Sequence, residues 1–338
     1  MKFVHTADWH IGASSRFIPE HLSRQEQMID NIYEIADKHN IDLVLVCGDI
    51  FQKNEPNSKE RDLLLRKVLE YDKYIYSIIM EGNHDAISVE ASAIHFLKLL
   101  EDKKKFKRTR IVEIDPALIQ FDNDYVISLP TFKKKLLKRI VKSIPKKRNS
   151  IVVMGHQATI GAELDSGFKL KTGTNISEFK QLDITYYAMG DIHKKQKLEI
   201  QNAFQCGAPI QHKFDEQLPK GVLIVDTENP KNPKFIKVKK NIKPLIVMNE
   251  GDIIPKKAYV KLLLNKETFH ETFPTNVVAT GSINEQSVIK RYRNKEQKIT
   301  TGLKPFLKDK GLVKKEIRKC FTIVRKIAKE KRINNYEI

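Results

Sequence analysis

Five short apolar runs punctuate the chain, and each leads into a small polar cluster. Lys2-Phe3-Val4-His5-Thr6-Ala7 leads into Asp8-Trp9-His10, and Leu43-Val44-Leu45-Val46-Cys47 into Gly48-Asp49. Ile75-Tyr76-Ser77-Ile78-Ile79-Met80 leads into Gly82-Asn83-His84-Asp85. Ile151-Val152-Val153-Met154 ends in Gly155-His156, and Tyr186-Tyr187-Ala188-Met189 in Gly190-Asp191-Ile192-His193. Runs of this length, rich in Val, Ile and Tyr and bounded by Gly, predict buried strands. Amphipathic segments at 21–39, 58–71 and 88–100 lie between them and predict helices; Asn57 or Ser58 caps the second, and Ser88 opens the third. Alternating strands and helices imply an α/β core of mainly parallel strands with right-handed crossovers. Ligand sites in such sheets lie at the carboxyl ends of the strands, so the five clusters are expected to converge on one edge of one sheet.

The pattern weakens after the third helix. Residues 103–148 hold three basic runs, Lys103-Lys104-Lys105, Lys133-Lys134-Lys135 and Lys146-Lys147-Arg148. Each either lines a path for a polyanion or is a solvated turn or helix face. Residues 221–226 are expected to pair with 235–239 across an Asn229-Pro230 turn, which places the end of the core near residue 242. Short strands and loops over 243–300 suggest a small α+β unit. The tail, 301–338, reads as two helices at 303–309 and 312–331, broken at Asp309-Lys310-Gly311. In the second, Val313, Ile317, Cys320, Val324 and Ile327 form one apolar stripe, with Lys314, Arg318 and Arg325 off it. That stripe either docks a partner or packs on the chain's own domain.

Charge sharpens this division. Of the 338 residues, 1–230 carry 34 Lys+Arg against 32 Asp+Glu, whereas 231–338 carry 27 against 10. So asymmetric a basic block points to an anionic partner such as nucleic acid. No run reaches the ~18 apolar residues of a membrane helix, and no signal-peptide segment opens the chain, so no membrane role is expected. Cys47, Cys206 and Cys320 are odd in number and scattered among apolar neighbours. They indicate buried thiols in a reducing, cytoplasmic compartment rather than a disulfide framework or a zinc knuckle.

The polar clusters supply Asp8, His10, Asp49, Asn83, His84, His156, Asp191 and His193. Carboxylate oxygen and imidazole nitrogen suit hard or borderline divalent cations. Eight such residues exceed the needs of one ion and suit two ions ~3.5–4 Å apart, with Asp49, alone at its strand end, as the bridging carboxylate. Such a pair clamps a phosphate and activates a water, the chemistry of phosphoester hydrolysis.

Asp-x-His, Gly-Asp, Gly-Asn-His-Asp, Gly-His and Gly-x-x-His in this order resemble the calcineurin-like metallophosphoesterases. His5-Thr6-Ala7-Asp8-Trp9-His10-Ile11-Gly12, Tyr186 to Lys194 and Gly207-Ala208-Pro209 narrow the resemblance to the SbcD-type nucleases, the bacterial and phage relatives of the eukaryotic nuclease of meiotic recombination and double-strand-break repair. The resemblance covers roughly 1–240, and the compact length resembles phage members, which would act in the host cytoplasm. It implies a four-layer αββα core over 1–242, a smaller α+β capping, DNA-binding domain over 243–300, and a C-terminal helix-loop-helix over 301–338 that binds an ATPase partner. It places one metal on Asp8, His10, Asp49 and His193 and a second on Asp49, Asn83, His156 and residue 191, the metals being two Mn2+ or Mg2+. His84 would protonate the leaving 3′ oxygen, oriented by Asp85; the alternative is a histidine that only binds phosphate. An imidazole titrates near neutrality and can give a proton in this way.

Two positions depart from the family pattern. Asp191 stands where His is usual; it either ligates the second ion or holds His193 from behind. Gln52 stands where relatives often carry an ionisable residue. Trp9 reads as core packing rather than as a base-stacking platform. The expected activity is Mn-dependent hydrolysis of DNA, leaving a 5′ phosphate: exonuclease on duplex ends, endonuclease on single strands or hairpins. The expected partners are double- and single-stranded DNA and an SbcC-type, SMC-like ATPase, with this chain as a homodimer within a heterotetramer. Lys314, Arg318 and Arg325 are candidate DNA contacts. The alternatives are a small-molecule phosphodiesterase or phosphatase of the same superfamily, which the basic C-terminal third disfavours, and a non-catalytic DNA-tethering subunit. The protein Ser/Thr phosphatase branch requires Gly-Asp-x-x-Asp-Arg-Gly, and Gly48-Asp49-Ile50-Phe51-Gln52-Lys53-Asn54 lacks it.

Overall fold

A computed structural model describes residues 1–41, 43–130, 134–238, 242–264 and 273–282. The first half runs β1 (Lys2–Thr6), α1 (His21–Lys38), β2 (Leu43–Cys47), α2 (Ser58–Tyr71), β3 (Tyr76–Met80), α3 (His95–Asp102) and β4 (Thr109–Val112). The second runs β5 (Ala117–Phe121), β6 (Asp124–Leu129), α4 (Lys134–Ser143), β7 (Ser150–His156), β8 (Tyr186–Gly190), β9 (Gln196–Lys197) and β10 (Ala203–Gln205). There follow β11 (Gly221–Asp226), β12 (Lys234–Lys237), β13 (Leu245–Asn249), β14 (Tyr259–Leu264) and β15 (Val277–Ser282).

These strands form two six-stranded sheets, ordered β12-β11-β1-β2-β3-β4 and β5-β6-β7-β8-β10-β9, and a third sheet ordered β13-β14-β15. The expectation of one sheet is therefore corrected. The first three ligand clusters end strands of the first sheet, and the last two end strands of the second. Only residues 113–116 separate β4 from β5, too short a link for the dozen-residue crossover that a further parallel strand requires. The chain turns instead into the antiparallel β5–β6 hairpin, which starts a new sheet.

Both faces of each sheet are apolar, and the period of two sorts them. Leu43, Leu45 and Cys47 of β2 face Val152 and Met154 of β7 and Tyr186 and Ala188 of β8 in a core between the sheets. Val44 and Val46 turn the other way, toward Met28, Ile29 and Ile32 of α1 and Leu63, Leu64 and Val68 of α2. Outside the second sheet, Ile151, Val153, Tyr187 and Met189 pack with Leu137 of α4. The result is the four-layer αββα arrangement.

Of the two residues offered as the cap of α2, Asn57 is the one, and it closes a capping box with Glu60: Asn57 Oδ1 accepts from the Glu60 amide, and Glu60 Oε2 accepts from the Asn57 amide. The third helix begins seven residues later than expected. Ser88 caps only a local turn, accepting the Glu90 amide on its hydroxyl, while Ile87 and Ser88 donate to the Ala91 carbonyl and Ala93 donates to that of Asp85. These bonds hold 85–93 as a loop pinned to the ligand cluster. The hairpin expected at 221–239 is present as β11–β12. Cys47 and Cys206 are buried free thiols, as expected, whereas Cys320 lies outside the described residues.

By internal contacts the chain divides into Met1–Leu262 with Thr272–Ala279, and Leu263–Glu271 with Thr280–Ile338. Most of the second unit, including the expected tail helices with Lys314, Arg318 and Arg325, lies outside the described residues. Among the described residues no helix is long and apolar enough to cross a membrane.

Leu45 is fully buried between the two sheets. Leu45→Ala is expected to lower stability by about 2–5 kcal/mol, read as a fall in the urea midpoint with an unchanged slope. A midpoint shift under about 1 kcal/mol would contradict close packing between the sheets.

Candidate metal centre

The loops after β1 and β2 are zipped together by backbone bonds. The amides of Asp8, His10 and Ile11 donate to the carbonyls of Gly48, Asp49 and Ile50 at 3.0, 3.0 and 2.8 Å. This ladder stacks Asp8, His10 and Asp49 at one strand edge. Asp8, His10, Asp49 and Asp191 all have left-handed backbones, with φ of 55, 46, 53 and 90°. Such conformations cost of order 1 kcal/mol or more each and gather where function demands them.

Two glycines bring the sheets together here. A Cβ on Gly48 would lie 2.3 Å from His156 Nδ1, and one on Gly82 would lie 2.2 Å from Asp49 Oδ1. Only a hydrogen at those positions lets β7 deliver His156 under the first sheet and lets the 82–85 turn close over Asp49.

Asp49 is the hub. Its Oδ2 lies 3.5 Å from His10 Nε2, and its Oδ1 lies 3.1 Å from His156 Nε2 and accepts the His84 amide at 2.9 Å. On one side, His10 Nε2 and His193 Nε2 face each other at 3.0 Å. On the other, His156 Nε2 lies 3.0 Å from Asn83 Oδ1 and 3.8 Å from Asp191 Oδ1. Among the described residues, three sets each offer one donor atom per residue within 4.8 Å of one another: Asp8–His10–His193, His10–Asp49–His84 and Asp8–Asp49–His156. Every candidate ligand named from the sequence is thus in one place.

The donor set fits cations. Asp8 Oδ2 is buried with no hydrogen-bond partner among the described residues, and two imidazole nitrogens, those of His10 and His193, face each other beside it. His156 Nδ1 donates to the Cys47 carbonyl at 2.7 Å, which directs Nε2 inward. Burial, then His212 and His193, hold the His10 ring well below its ordinary pKa and keep it neutral. Burial raises the Asp8 and Asp191 carboxyls. For Asp49 burial acts upward too, but His156 and His10 outweigh it and hold the group well below the usual carboxylate range. A buried knot of carboxylates and imidazoles with an unpartnered oxygen is an arrangement that a divalent ion completes.

Two expectations about supporting residues change. Asp85 does not meet the His84 ring. Its carboxylate accepts the amides of Ile50, Phe51 and Gly82 at 3.0, 2.8 and 2.8 Å, tying the two loops together. The His84 ring is oriented by the Gln52 carbonyl, 2.8 Å from Nδ1. The backbone makes this contact, so the departure at the Gln52 side chain leaves it untouched. His193 is held by Glu216, whose Oε1 accepts from Nδ1 at 2.6 Å, rather than by Asp191, whose carboxylate lies on the His156 side. Glu216 Oε2 accepts the His212 amide, and His212 Nε2 donates to the Asp8 carbonyl, both at 2.8 Å. Sequence reading missed Glu216 and His212. They sit in the loop between β10 and β11, away from either strand end, and only a His-x-x-x-Glu spacing marks them. Trp9 is 1 % exposed and donates to Thr6 Oγ1, a packing role. A cavity of about 610 Å³ opens on the His156 side, lined in part by Asn83, Pro130, Gln157, Thr174 and Asp191.

Comparison with known proteins agrees with this geometry. The profile of the calcineurin-like phosphoesterases matches residues 1–195. The chain belongs to that family. Within it, the chain is 28% identical over 313 residues to a Staphylococcus epidermidis protein named as a subunit of the nuclease SbcCD, covering 82% of this chain and 79% of that one. It is 25% identical over 251 residues to the protein of Escherichia coli K12 that bears the same name, covering 64% and 62%. A third protein so named, from Staphylococcus saprophyticus, is 26% identical over 290 residues, covering 77% and 75%.

Two outcomes are expected. Without a cation, burial opposes a charge on His156, but Asp49, Asp8 and Asp191 prevail and raise the ring to about 10. A cation needs the Nε2 lone pair, so uptake near neutral pH expels this proton and affinity rises with pH. Calorimetry in buffers of different ionisation enthalpy should show proton release; a buffer-independent heat would contradict it. Glu216→Ala frees the His193 ring and should weaken metal binding about 10–100-fold, measured by the same titration; wild-type affinity would remove Glu216 from the centre.

Proposed function

We propose that this chain is the nuclease component of an SbcCD-like complex and hydrolyses DNA phosphodiesters with two bound divalent ions, manganese or magnesium. The observation that carries the metal part is Asp49, one oxygen turned to His10 and the other to His156. In this reading Asp8, His10, Asp49 and His193 hold one ion, and Asp49, Asn83, His156 and Asp191 the other. DNA as substrate is supported by the names of the relatives and by the 27-to-10 excess of basic residues in 231–338. The same names support an SbcC-type ATPase partner, for which residues 301–338 are the candidate docking segment and 243–300 the candidate capping domain.

The ions, when bound, would supply Lewis acidity at the scissile phosphate and a water nucleophile. The residues of the chain do the rest. His84 stands with His10 and Asp49 in one donor set, its ring edge-on to His10 with centroids 4.8 Å apart. Because the Gln52 carbonyl takes the Nδ1 proton, the proton that moves is the one on Nε2. The ring must begin doubly protonated, give that proton to the leaving 3′ oxygen, and end neutral. Asp85 contributes by fixing the loops that carry His84 and Asp49. The cavity beside His156 has room for the nucleotide next to the cleaved bond.

The test compares wild type with His84→Gln on linear duplex DNA and on a small chromogenic phosphodiester, with manganese. The variant should lose about 10²–10⁴-fold on DNA, whose alkoxide leaving group needs a proton. It should lose far less on the chromogenic ester, whose phenolate leaves unaided. Equal losses on both would contradict the proton-donor role. Turnover of the small ester alone by wild type would replace the nuclease reading with that of a small-molecule phosphoesterase.

A further inference from the structure

The opposite end of the first sheet carries a feature that the metal centre does not use. Strand β3 runs from Tyr76, at that end, to Met80, beside the ligand cluster, a span of roughly 13–17 Å. The chain enters it through Lys73 and Tyr74, both exposed, Tyr74 to 70 %. Alongside lies 103–110, which holds Lys103, Lys104, Lys105, Lys107, Arg108 and Arg110 and no acidic residue.

The two segments are knitted into one surface. The carboxylate of Asp72, buried between them, accepts the amides of Lys107, Arg108 and Thr109 at 2.7–2.8 Å. The Arg108 guanidinium donates to the Lys73 carbonyl at 2.8 Å and lies over the Tyr76 ring, 5.7 Å from its centroid. Phe121 meets the same ring edge-on. Tyr76 is thereby fixed, while the Tyr74 ring beside it is exposed and has no side-chain partner among the described residues. Arg110 pairs with Glu101 at 3.8 Å. Lys103, Lys104, Lys105 and Lys107 are exposed and make no ion pair among the described residues.

Cations at the end of α3 favour the helix dipole, which accounts for Lys103 at the cap. It does not account for the cations that continue past the last turn, nor for exposed tyrosines among them. Unpaired lysines flanking an exposed aromatic ring form the combination that binds single-stranded nucleic acid: cations follow the phosphates, and a base stacks on the ring.

We propose that Tyr74, with Lys104, Lys105 and Lys107, forms a second nucleic-acid contact for single-stranded DNA, at the pole of the first sheet remote from the metal ligands. It would hold an unpaired strand away from the cleavage site. As the substrate is DNA only under the function proposed above, this inference rests on that reading.

The test uses the full chain in EDTA, which silences cleavage, and a dye-labelled oligothymidylate of about twenty nucleotides followed by anisotropy across a salt series. Lys104→Glu/Lys105→Glu/Lys107→Glu should weaken binding at least tenfold at low salt and flatten the log–log salt slope by about 2, given ~0.7 per phosphate contact on single strands. Tyr74→Ala should weaken binding roughly tenfold and leave the slope unchanged. Both variants should turn over the chromogenic diester at the wild-type rate with metal present, which shows an intact core. Wild-type affinity in both variants, while wild type cleaves DNA, would overturn this contact and leave the nuclease reading standing. A loss confined to the charge variant would overturn the single-strand assignment in favour of a general polyanion surface. Wild type that neither binds nor cleaves DNA would overturn both readings.

Discussion

The carboxylate of Asp49 lies where the edges of two sheets meet, and both sheets are shaped around it. Gly48 and Gly82 have no room for a side chain because His156 and Asp49 fill the space that a Cβ would take. The left-handed turns at Asp8, His10 and Asp49 place their side chains in that seam. Burial of carboxylates and imidazoles together is unfavourable unless opposite charge completes the set. Here Asp8 retains an oxygen without a partner among the described residues. Packing between the sheets, which positions the seam, and cation binding, which relieves it, are therefore coupled.

Support for the seam comes from behind. Asp85 fixes the turn over Asp49 by taking three backbone amides. Burial and the neighbouring charge of Asp49 raise its carboxyl to about 7. Glu216 and His212 join the His193 ring to the Asp8 carbonyl on the far side. Ligands from the two sheets are thus held by partners that are themselves buried and bonded, as a preorganised centre requires.

The strands and the gathering of the candidate ligands were legible because their signals are local. A run such as Leu43–Cys47 followed by Gly-Asp states both its burial and its polar end. The division into two sheets was legible only through the four-layer core that the family resemblance implied, and not in the strand pattern itself, because it depends on the short 113–116 link and the β5–β6 hairpin inside a stretch without clear periodicity. The late start of α3 was hidden by Ser88 and Glu90, a helix-start pattern that tertiary bonds turned into a loop. Supporting contacts were the least legible: Asp85 reaches backbone amides, and the Gln52 contact comes from a carbonyl that any residue would offer. Asp191 shows the reverse. Its identity departs from the family pattern, yet its carboxylate lies among the candidate ligands, 3.8 Å from His156 Nε2.

The central claim is that Asp49 joins two ions in one centre. Its most direct test is to titrate metal-free protein with Mn2+ and follow binding and the electron paramagnetic resonance spectrum together. The account predicts two equivalents per chain and a spin-coupled pair at saturation, with Asp49→Asn losing the coupling. A single equivalent, or two ions with uncoupled spectra, would contradict it.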